Sequence, residues 1–221
     1  LRAMNFYEIC KQKTIYIGKD ELIVGERGPK PKCVPTFPEL TCHSVEDLHV
    51  LNTRELQRYT ISQEDIDTYE REVIPYWKGR TQRERIFNHV PKEWKEAYEV
   101  GMFTEFMEQR APGHTALDGK VYRYGLLDLK DRIQKHIESL DFMNDPEATD
   151  KQEELQAMAI SCDAAILFAN RHADLADEMS MTEKDPKRAA ELRRIAEVCR
   201  WVPAHAPRDF WEAIQMYWFV H

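Results

Sequence analysis

A long helical run in the second half of the chain constrains the fold more than any other feature. Between Glu147 and Met181, apolar residues recur at steps of three and four, which is the spacing of one face of an α-helix. Many of them are alanines, and small side chains allow two helix axes to approach closely. We therefore predict a mainly α-helical segment in which this helix packs along another. Its stripe is Leu155, Met158, Ala159, Cys162, Ala165, Ile166, Ala169, His172 and Ala173, with His172 as a hydrogen-bonded core or boundary residue.

Helix starts elsewhere are marked by capping signals. A serine or threonine stands three residues before an acidic residue at Ser44, Ser62 and Thr81, which is the spacing of a capping box. The helix after Ser62 should run from Gln63 to Tyr76, and Pro75 should kink or stop it. Further helices are predicted from Leu1 to Lys13, from Gly125 to Leu140, from Asp185-Pro186 to Trp201, and from Phe210 to His221 after a cap at Asp209.

The amino-terminal region carries different patterns. Leu1, Met4, Phe6 and Ile9 are expected to face inward from the first helix. Thr14 to Val24 alternates around isoleucine and leucine, which favours a short hairpin or two brief strands. The proline-rich stretch that follows is expected to be an ordered loop.

The ends of the chain suggest a fragment. Position 1 is not methionine, and the segment from Phe210 to His221 is too apolar for a free end in water. We therefore expect the remaining core to lie outside this sequence. The basic residues of the preceding helix should be solvated, namely Lys187, Arg188, Arg193 and Arg194.

Composition excludes several classes of protein. The formal net charge is -8 and basic residues are scattered among acidic ones, which argues against a nucleic-acid or anionic-membrane surface. The sequence shows neither a signal peptide nor an apolar stretch of about 18 residues, so a cytoplasmic protein is expected. Five unpaired cysteines fit free thiols. Eight histidines include no metal-ligand spacing, and Cys42 beside His43 lacks the four ligands that zinc needs.

One short segment gathers the groups that suit a small polar ligand. Gly101 to Thr115 reads GMFTEFMEQRAPGHT, an amphipathic run that Pro112 ends and Gly113 bends, which places His114 on a turn. The residues just upstream are Phe103, Glu105, Phe106, Glu108 and Arg110. On chemistry alone, a helix with its two rings in the core and Arg110 in a structural ion pair remains an alternative.

The same segment resembles the glycyl radical enzymes of the pyruvate formate-lyase superfamily. The resemblance rests on FTEFMEQRAPGHT and is strongest for the branch that contains hydroxyproline dehydratases. Four further collinear matches are DELIVGERGPKPK (Asp20 to Lys32), VPTFPEL (Val34 to Leu40), VIPYWKGRT (Val73 to Thr81) and VPAHAPRDFWEAIQMYWFVH (Val202 to His221).

The resemblance implies a fold and a chemistry. Residues 1–221 would be the N-terminal portion of a single pyruvate formate-lyase-type domain, incomplete at both ends, from a ten-stranded α/β barrel. In that family, a separate S-adenosylmethionine iron–sulfur activating enzyme installs a backbone glycyl radical near the C-terminus. The radical passes to a cysteine that removes a hydrogen atom from the substrate. The loop that carries the radical glycine and the loop that carries the cysteine both lie downstream in the family, and neither is matched by this chain. The resemblance also implies a homodimer.

The resemblance also implies a pocket wall. Phe106 and His114 fall on positions that line the substrate site, and Arg110 would contact a substrate anion. The resulting hypothesis is a dehydratase acting on a small hydroxylated substrate such as trans-4-hydroxy-L-proline. The alternatives are a carbon–sulfur lyase acting on isethionate or a related hydroxysulfonate, and a non-catalytic helical interaction module.

Overall fold

The computed structural model describes residues 1–26, 28, 36–56, 58–103 and 117–221. Within these ranges the regular structure is helical and no strand is formed, in agreement with the predicted helical character. A single-turn π-helix spans Tyr69–Val73, and a 3₁₀ turn spans Asp118–Tyr122. The α-helices are α1 (Arg2–Gln12), α2 (Val45–Thr53), α3 (Gln63–Thr68), α4 (Ile74–Trp77), α5 (Gln82–His89), α6 (Lys92–Glu99), α7 (Leu126–Glu138), α8 (Ala148–Thr182), α9 (Pro186–Trp201) and α10 (Phe210–Val220).

The chain folds into two compact units. The first unit comprises residues 1–31 and 113–221, and the second comprises residues 32–112. In the first unit, α8 packs against α1, α7 and α9, so the predicted long helix is confirmed as its central element. Four alanines of α8 are almost fully buried: Ala164, Ala169, Ala173 and Ala176.

The core of the first unit lies between α8, α9 and an extended amino-terminal segment. Leu192, Ile195 and Cys199 of α9 pack with Ile17 and Val24 of that segment. The predicted hairpin between Thr14 and Val24 is wrong, because no β-pairing forms there. The backbone instead bonds to side chains from α9 and α10. The alternation of isoleucines therefore indicates a half-buried extended chain and not a β-strand.

Two further expectations for this unit are also wrong. Arg188 is buried, at 8% exposure, and donates hydrogen bonds to the carbonyl oxygens of Gly18 and Glu21. In α1 the buried residues are Ala3 and Cys10, because the small residues are the ones that fit close against α8. The larger apolar residues predicted to face inward are exposed, namely Leu1, Met4, Phe6 and Ile9.

The second unit is built from short helices with defined starts. The predicted capping boxes at Ser44, Ser62 and Thr81 are confirmed, each with both reciprocal hydrogen bonds. Ile66 and Tyr69 pack with Leu48 to form a small core. The π-helical turn immediately precedes Pro75. A wider turn here accommodates a proline, which lacks an N–H and crowds the preceding turn.

Candidate functional site

The three predicted site residues, Phe106, Arg110 and His114, lie in the segment 104–116, outside the described residues. The structure does describe the chain on both sides of this segment. The amino-terminal flank ends at Phe103 in the second unit, and the carboxyl-terminal flank begins at Leu117 in the first unit. The geometry of each flank shows how firmly the chain is held where it leaves the described residues.

An aromatic cluster holds the amino-terminal flank; we define it as Phe87, Trp94, Tyr98 and Phe103. Trp94 and Tyr98, one turn apart on α6, stack with an interplanar angle of 2° and centroids 5.9 Å apart. Phe87 of α5 meets both rings edge-on, at 5.4 and 5.1 Å. Phe103 lies 4.7 Å from the ring of Trp94 and 6.1 Å from that of Tyr98. All four side chains are partly buried.

The end of α6 turns Phe103 back onto that cluster. Gly101 has a positive φ of 73°, a conformation that glycine adopts without steric penalty. The Gly101 N–H donates to the carbonyl of Tyr98, and the Met102 N–H donates to the carbonyl of Ala97, both at 3.0 Å. This pair of bonds is the Schellman motif that commonly ends a helix. The path of the chain up to Phe103 is therefore set by backbone bonds as well as by ring contacts.

The carboxyl-terminal flank is held in the first unit by buried apolar contacts. Leu117 and Asp118 both have positive φ, and Asp118 accepts a hydrogen bond from the backbone N–H of Lys120. Asp118 opens the 3₁₀ turn Asp118–Tyr122. Val121 in this turn is fully buried against Val198 and Met216. The chain is thus anchored within five residues of the segment end.

The start of α7 then joins the connection between α9 and α10. The backbone N–H groups of Leu126 and Leu127 donate to the carbonyls of Pro203 and Ala204, at 2.8 and 3.0 Å. A Cβ atom at Gly125 would lie 2.1 Å from the carbonyl oxygen of Ala204, so only glycine permits this approach. The Val202–Pro203 peptide bond in this connection is cis.

A cavity of about 590 Å³ lies beside α9 and α10, but its charges are already matched. Glu212 is fully buried at its wall and accepts hydrogen bonds from the side chain and backbone of Arg208. Arg194 pairs with Asp209, and Arg200 pairs with two aspartates of α8. Because each of these arginines has a carboxylate partner, their positive charges are already balanced, which argues against a site for an anionic ligand.

The other buried titratable groups of the first unit also have structural explanations. His172 is 1% exposed and bonds through Nδ1 to the carbonyl of Phe168, which confirms its predicted place in the core. Burial lowers its pKa to about 4, so the ring is neutral at physiological pH. Burial likewise raises the pKa of the Cys199 thiol to about 12 and raises the pKa values of Cys10 and Cys162.

Two kinds of feature are absent from the described ranges. Among these residues there is no cluster of three or more histidine, cysteine or acidic side chains that could hold a metal ion. Nor does any helix there combine the length and apolarity needed to cross a bilayer.

The residue that sequence reasoning missed is Gln215 on α10. Its side-chain oxygen accepts from the N–H of Val24 at 2.9 Å, and its nitrogen donates to the carbonyl of Val24 at 2.7 Å. The bonded groups are buried and Gln215 is 0% exposed. A glutamine inside a mostly apolar helix was the available signal, because buried polar side chains require partners.

Comparisons with known proteins place this geometry in a family. The profile described as "Pyruvate formate lyase-like" matches residues 1–221. The trans-4-hydroxy-L-proline dehydratase of Clostridioides difficile is 47% identical over 221 residues, which cover 100% of this chain and 28% of that protein. An isethionate sulfite-lyase of Oleidesulfovibrio alaskensis is 34% identical over 225 residues, covering 96% of this chain and 27% of that protein.

A solved structure agrees with the sequence relatives. The crystal structure of the C. difficile hydroxyproline dehydratase with bound trans-4-hydroxy-L-proline superposes with a TM-score of 0.84 at 46% identity. The match covers 99% of this chain and 28% of that one, so the chain spans little more than a quarter of the length of these relatives. A family profile that covers every residue, together with these matches, shows that the chain belongs to the pyruvate formate-lyase-like family.

Proposed function

We propose that the polypeptide containing this chain is a glycyl radical dehydratase that eliminates water from trans-4-hydroxy-L-proline. The observation that carries the proposal is the 47% identity to a hydroxyproline dehydratase along all 221 residues. The sequence identity to the isethionate sulfite-lyase is lower, at 34%. A difference of this size over the same stretch favours water elimination over carbon–sulfur cleavage.

The chain would supply part of a larger domain. Residues 1–221 are proposed to form the N-terminal portion of one pyruvate formate-lyase-type domain, whose ten-stranded α/β barrel is completed by other parts of a longer polypeptide. The support is the 28% share of the hydroxyproline dehydratase that this chain matches. The strands of the barrel would then be supplied by regions that correspond to the remainder of that relative.

The residues of this chain would bind and orient the substrate. Phe106 would pack against the pyrrolidine ring, and Arg110 would hold the substrate carboxylate through two parallel hydrogen bonds. His114 would donate a proton to the departing hydroxyl group, which then leaves as water. Imidazole suits this role because its unperturbed pKa of about 6.5 keeps both protonation states accessible near neutral pH.

The radical chemistry would come from elsewhere. A separate S-adenosylmethionine iron–sulfur activating enzyme is proposed to install the backbone glycyl radical, and no glycine or cysteine of this chain is assigned to carry it. Cys10, Cys42, Cys162 and Cys199 are free thiols whose pKa values are all raised, chiefly by burial. We further propose a cytoplasmic homodimer.

A substrate comparison tests the proposal. The full-length protein should be activated anaerobically and offered trans-4-hydroxy-L-proline and isethionate in separate reactions. Consumption of hydroxyproline without sulfite release from isethionate is the expected result. Sulfite release without hydroxyproline turnover would select the carbon–sulfur lyase. A full-length sequence without downstream cysteine and glycine loops would instead leave a non-catalytic helical module.

A further inference from the structure

We infer that the outward face of α10 is an interface inside the complete protein and that the rest of the same polypeptide covers it. This inference rests on the proposed function, which makes the chain part of a larger domain. The outward face is defined as Phe210, Ile214, Tyr217, Trp218 and His221. These residues recur at steps of three and four, so they share one side of a helix. The five include no aspartate, glutamate, lysine or arginine.

The outward face is open among the described residues. Phe210 is 81% exposed, and Ile214 and Trp218 are 37% and 38% exposed. The rings of Tyr217 and His221 stack, with centroids 5.2 Å apart and an interplanar angle of 11°. Single apolar residues are normal on a protein surface, but a continuous uncharged stripe is typical of a surface that contacts another part of a protein.

The opposite face of α10 is already packed inside the first unit. Gln215 and Met216 are 0% exposed, and Phe219 lies with its ring centroid 6.1 Å from that of Phe168 and 5.8 Å from that of His172. A helix that is buried on one side and uncharged on the other has no face suited to water, which is typical of the core of a larger protein. The sequence indicated that this segment is too apolar for a free end, and the structure locates the open part on its outward face.

The exposed apolar residues of α1 differ because charged residues share their surface. Met4 and Ile9 are 49% and 59% exposed. Glu8 and Lys11 follow Met4 by four and seven residues, so they lie on the same side of the helix, where they form an ion pair at 3.5 Å. A mixed surface of this kind is compatible with water. Ile9 therefore provides a control for Ile214.

The size of the outward face favours an occupant from the same polypeptide. α10 has 11 residues, so the face is about 16 Å long and about 10 Å wide. A stable interface between two copies buries about 800 Å² on each partner, far more than this face offers. Packing within one polypeptide needs no such area, because its parts are already tethered. A bilayer span would need about 30 Å of apolar length.

The proposed longer polypeptide has enough chain to cover the face. The match to the hydroxyproline dehydratase covers 28% of that protein, so most of the relative lies outside it. The occupant is expected to present apolar side chains, because a charged group placed against this uncharged face would lose its hydration without gaining a partner.

Hydroxyl-radical footprinting of the full-length, unactivated protein tests whether the face is covered. Phe142 is the matched control for Phe210, because both are phenylalanines and Phe142 is 53% exposed. We expect Phe210 to be oxidised several-fold more slowly than Phe142, the reverse of their order of exposure within this chain. Oxidation of Phe210 at the rate of Phe142 or faster would overturn the inference.

Photo-cross-linking identifies the occupant. Trp218→benzoylphenylalanine in the full-length protein should cross-link to a peptide of the same polypeptide outside residues 1–221. A cross-link between two copies would assign the face to a second copy and overturn the inference, as would a cross-link to a peptide within residues 1–221. So would a yield no higher than that from Met143→benzoylphenylalanine, since Met143 is 91% exposed.

Substitution measures how much the interface contributes to stability. Ile214→Asp places an unpaired charge in the covered face and should lower the Tm of the full-length protein by several degrees, whereas Ile9→Asp should change it little. Ile214→Ala should give a smaller loss in the same direction and keeps the comparison readable if Ile214→Asp does not fold. A Tm unchanged in Ile214→Ala, or equal losses in Ile214→Asp and Ile9→Asp, would contradict the interface.

None of these measurements needs substrate or the radical. A full-length protein that fails to turn over hydroxyproline would therefore count against the proposed substrate and not against the interface of α10.

Discussion

The two units of this chain are specified by different kinds of interaction. In the second unit, α2, α3 and α5 each begin at a capping box whose partners are three residues apart. In the first unit, the extended amino-terminal segment is held by bonds that join residues more than 150 positions apart. The helix starts of the second unit are therefore determined by residues close together in sequence, whereas the conformation of the extended segment in the first unit depends on residues that only the assembled fold brings together.

The largest effect is expected where a long-range bond is fully buried. Gln215→Leu removes both hydrogen bonds to Val24 and leaves its N–H and carbonyl without partners, at about 2–5 kcal/mol of local stability. Hydrogen exchange at Val24 in the full-length protein measures this loss. Gln134→Leu, on the exposed face of α7, should leave that exchange unchanged. Unaltered protection of Val24 in Gln215→Leu would show that the buried bonds are dispensable.

A smaller effect is expected for the buried guanidinium of Arg188, which bonds to the carbonyls of Gly18 and Glu21. Arg188→Met keeps the aliphatic stem but leaves the carbonyls of Gly18 and Glu21 unpaired, which should lower local stability by about 2 kcal/mol. The exposed neighbour supplies the control, because Lys187→Met should change little. Hydrogen exchange of a peptide covering residues 17–24 measures the effect of both substitutions. Equal effects of the two substitutions would mean that burial of Arg188 is not what matters.

The buried histidine makes the first unit sensitive to acid. Burial, with smaller contributions from the charges of Arg171 and Lys13, lowers the pKa of His172 to about 4, below its unfolded value of about 6.5. The unfolded state then binds more protons, so stability falls as pH drops from 6.5 toward 4. Between pH 6.5 and 5 the loss should be about 1.5 kcal/mol.

His172→Phe removes this titration and provides the comparison. The pH dependence of protection in a peptide covering residues 168–176, corrected for intrinsic exchange, should be shallower in the variant than in wild type. Parallel profiles in the two proteins would show that His172 is not the group responsible.

The smallest effect is expected for a local cap. Ser62→Ala removes the oxygen that accepts the Asp65 N–H, which should cost about 1 kcal/mol of helix stability in α3. Gln63→Ala, at the next position, is the control and should have little effect. Faster exchange confined to residues 63–68 is the expected reading. A change that spread to the first unit would contradict the local character assigned to the second.

The same contrast explains which parts of the fold were predictable. The starts at Ser44, Ser62, Thr81 and Asp209 were readable because a cap and its helix are adjacent in sequence. The long helix was readable from its alanine-rich stripe. The interactions of Thr14 to Val24 could not be predicted, because alternation in a single sequence does not distinguish a β-strand from an extended chain that bonds to Gln215 and Arg188.

The features of the candidate site also differ in whether the sequence alone could predict them. Sequence chemistry predicts a bend at Pro112-Gly113, whereas the end of α6 at Gly101 was found only in the structure. The aromatic contacts of Phe103 depend on two helices meeting and required the structure. The roles of Phe106, Arg110 and His114 came from resemblance to the glycyl radical enzymes, lie outside the described residues and stay predictions.

The most direct measurement is hydroxyproline turnover by the activated full-length protein, compared between wild type and His114→Ala. If the imidazole at position 114 donates the proton that converts the departing hydroxyl to water, kcat should fall by about 10²–10⁴-fold while folding and radical content are unchanged. Full turnover by His114→Ala would contradict that role.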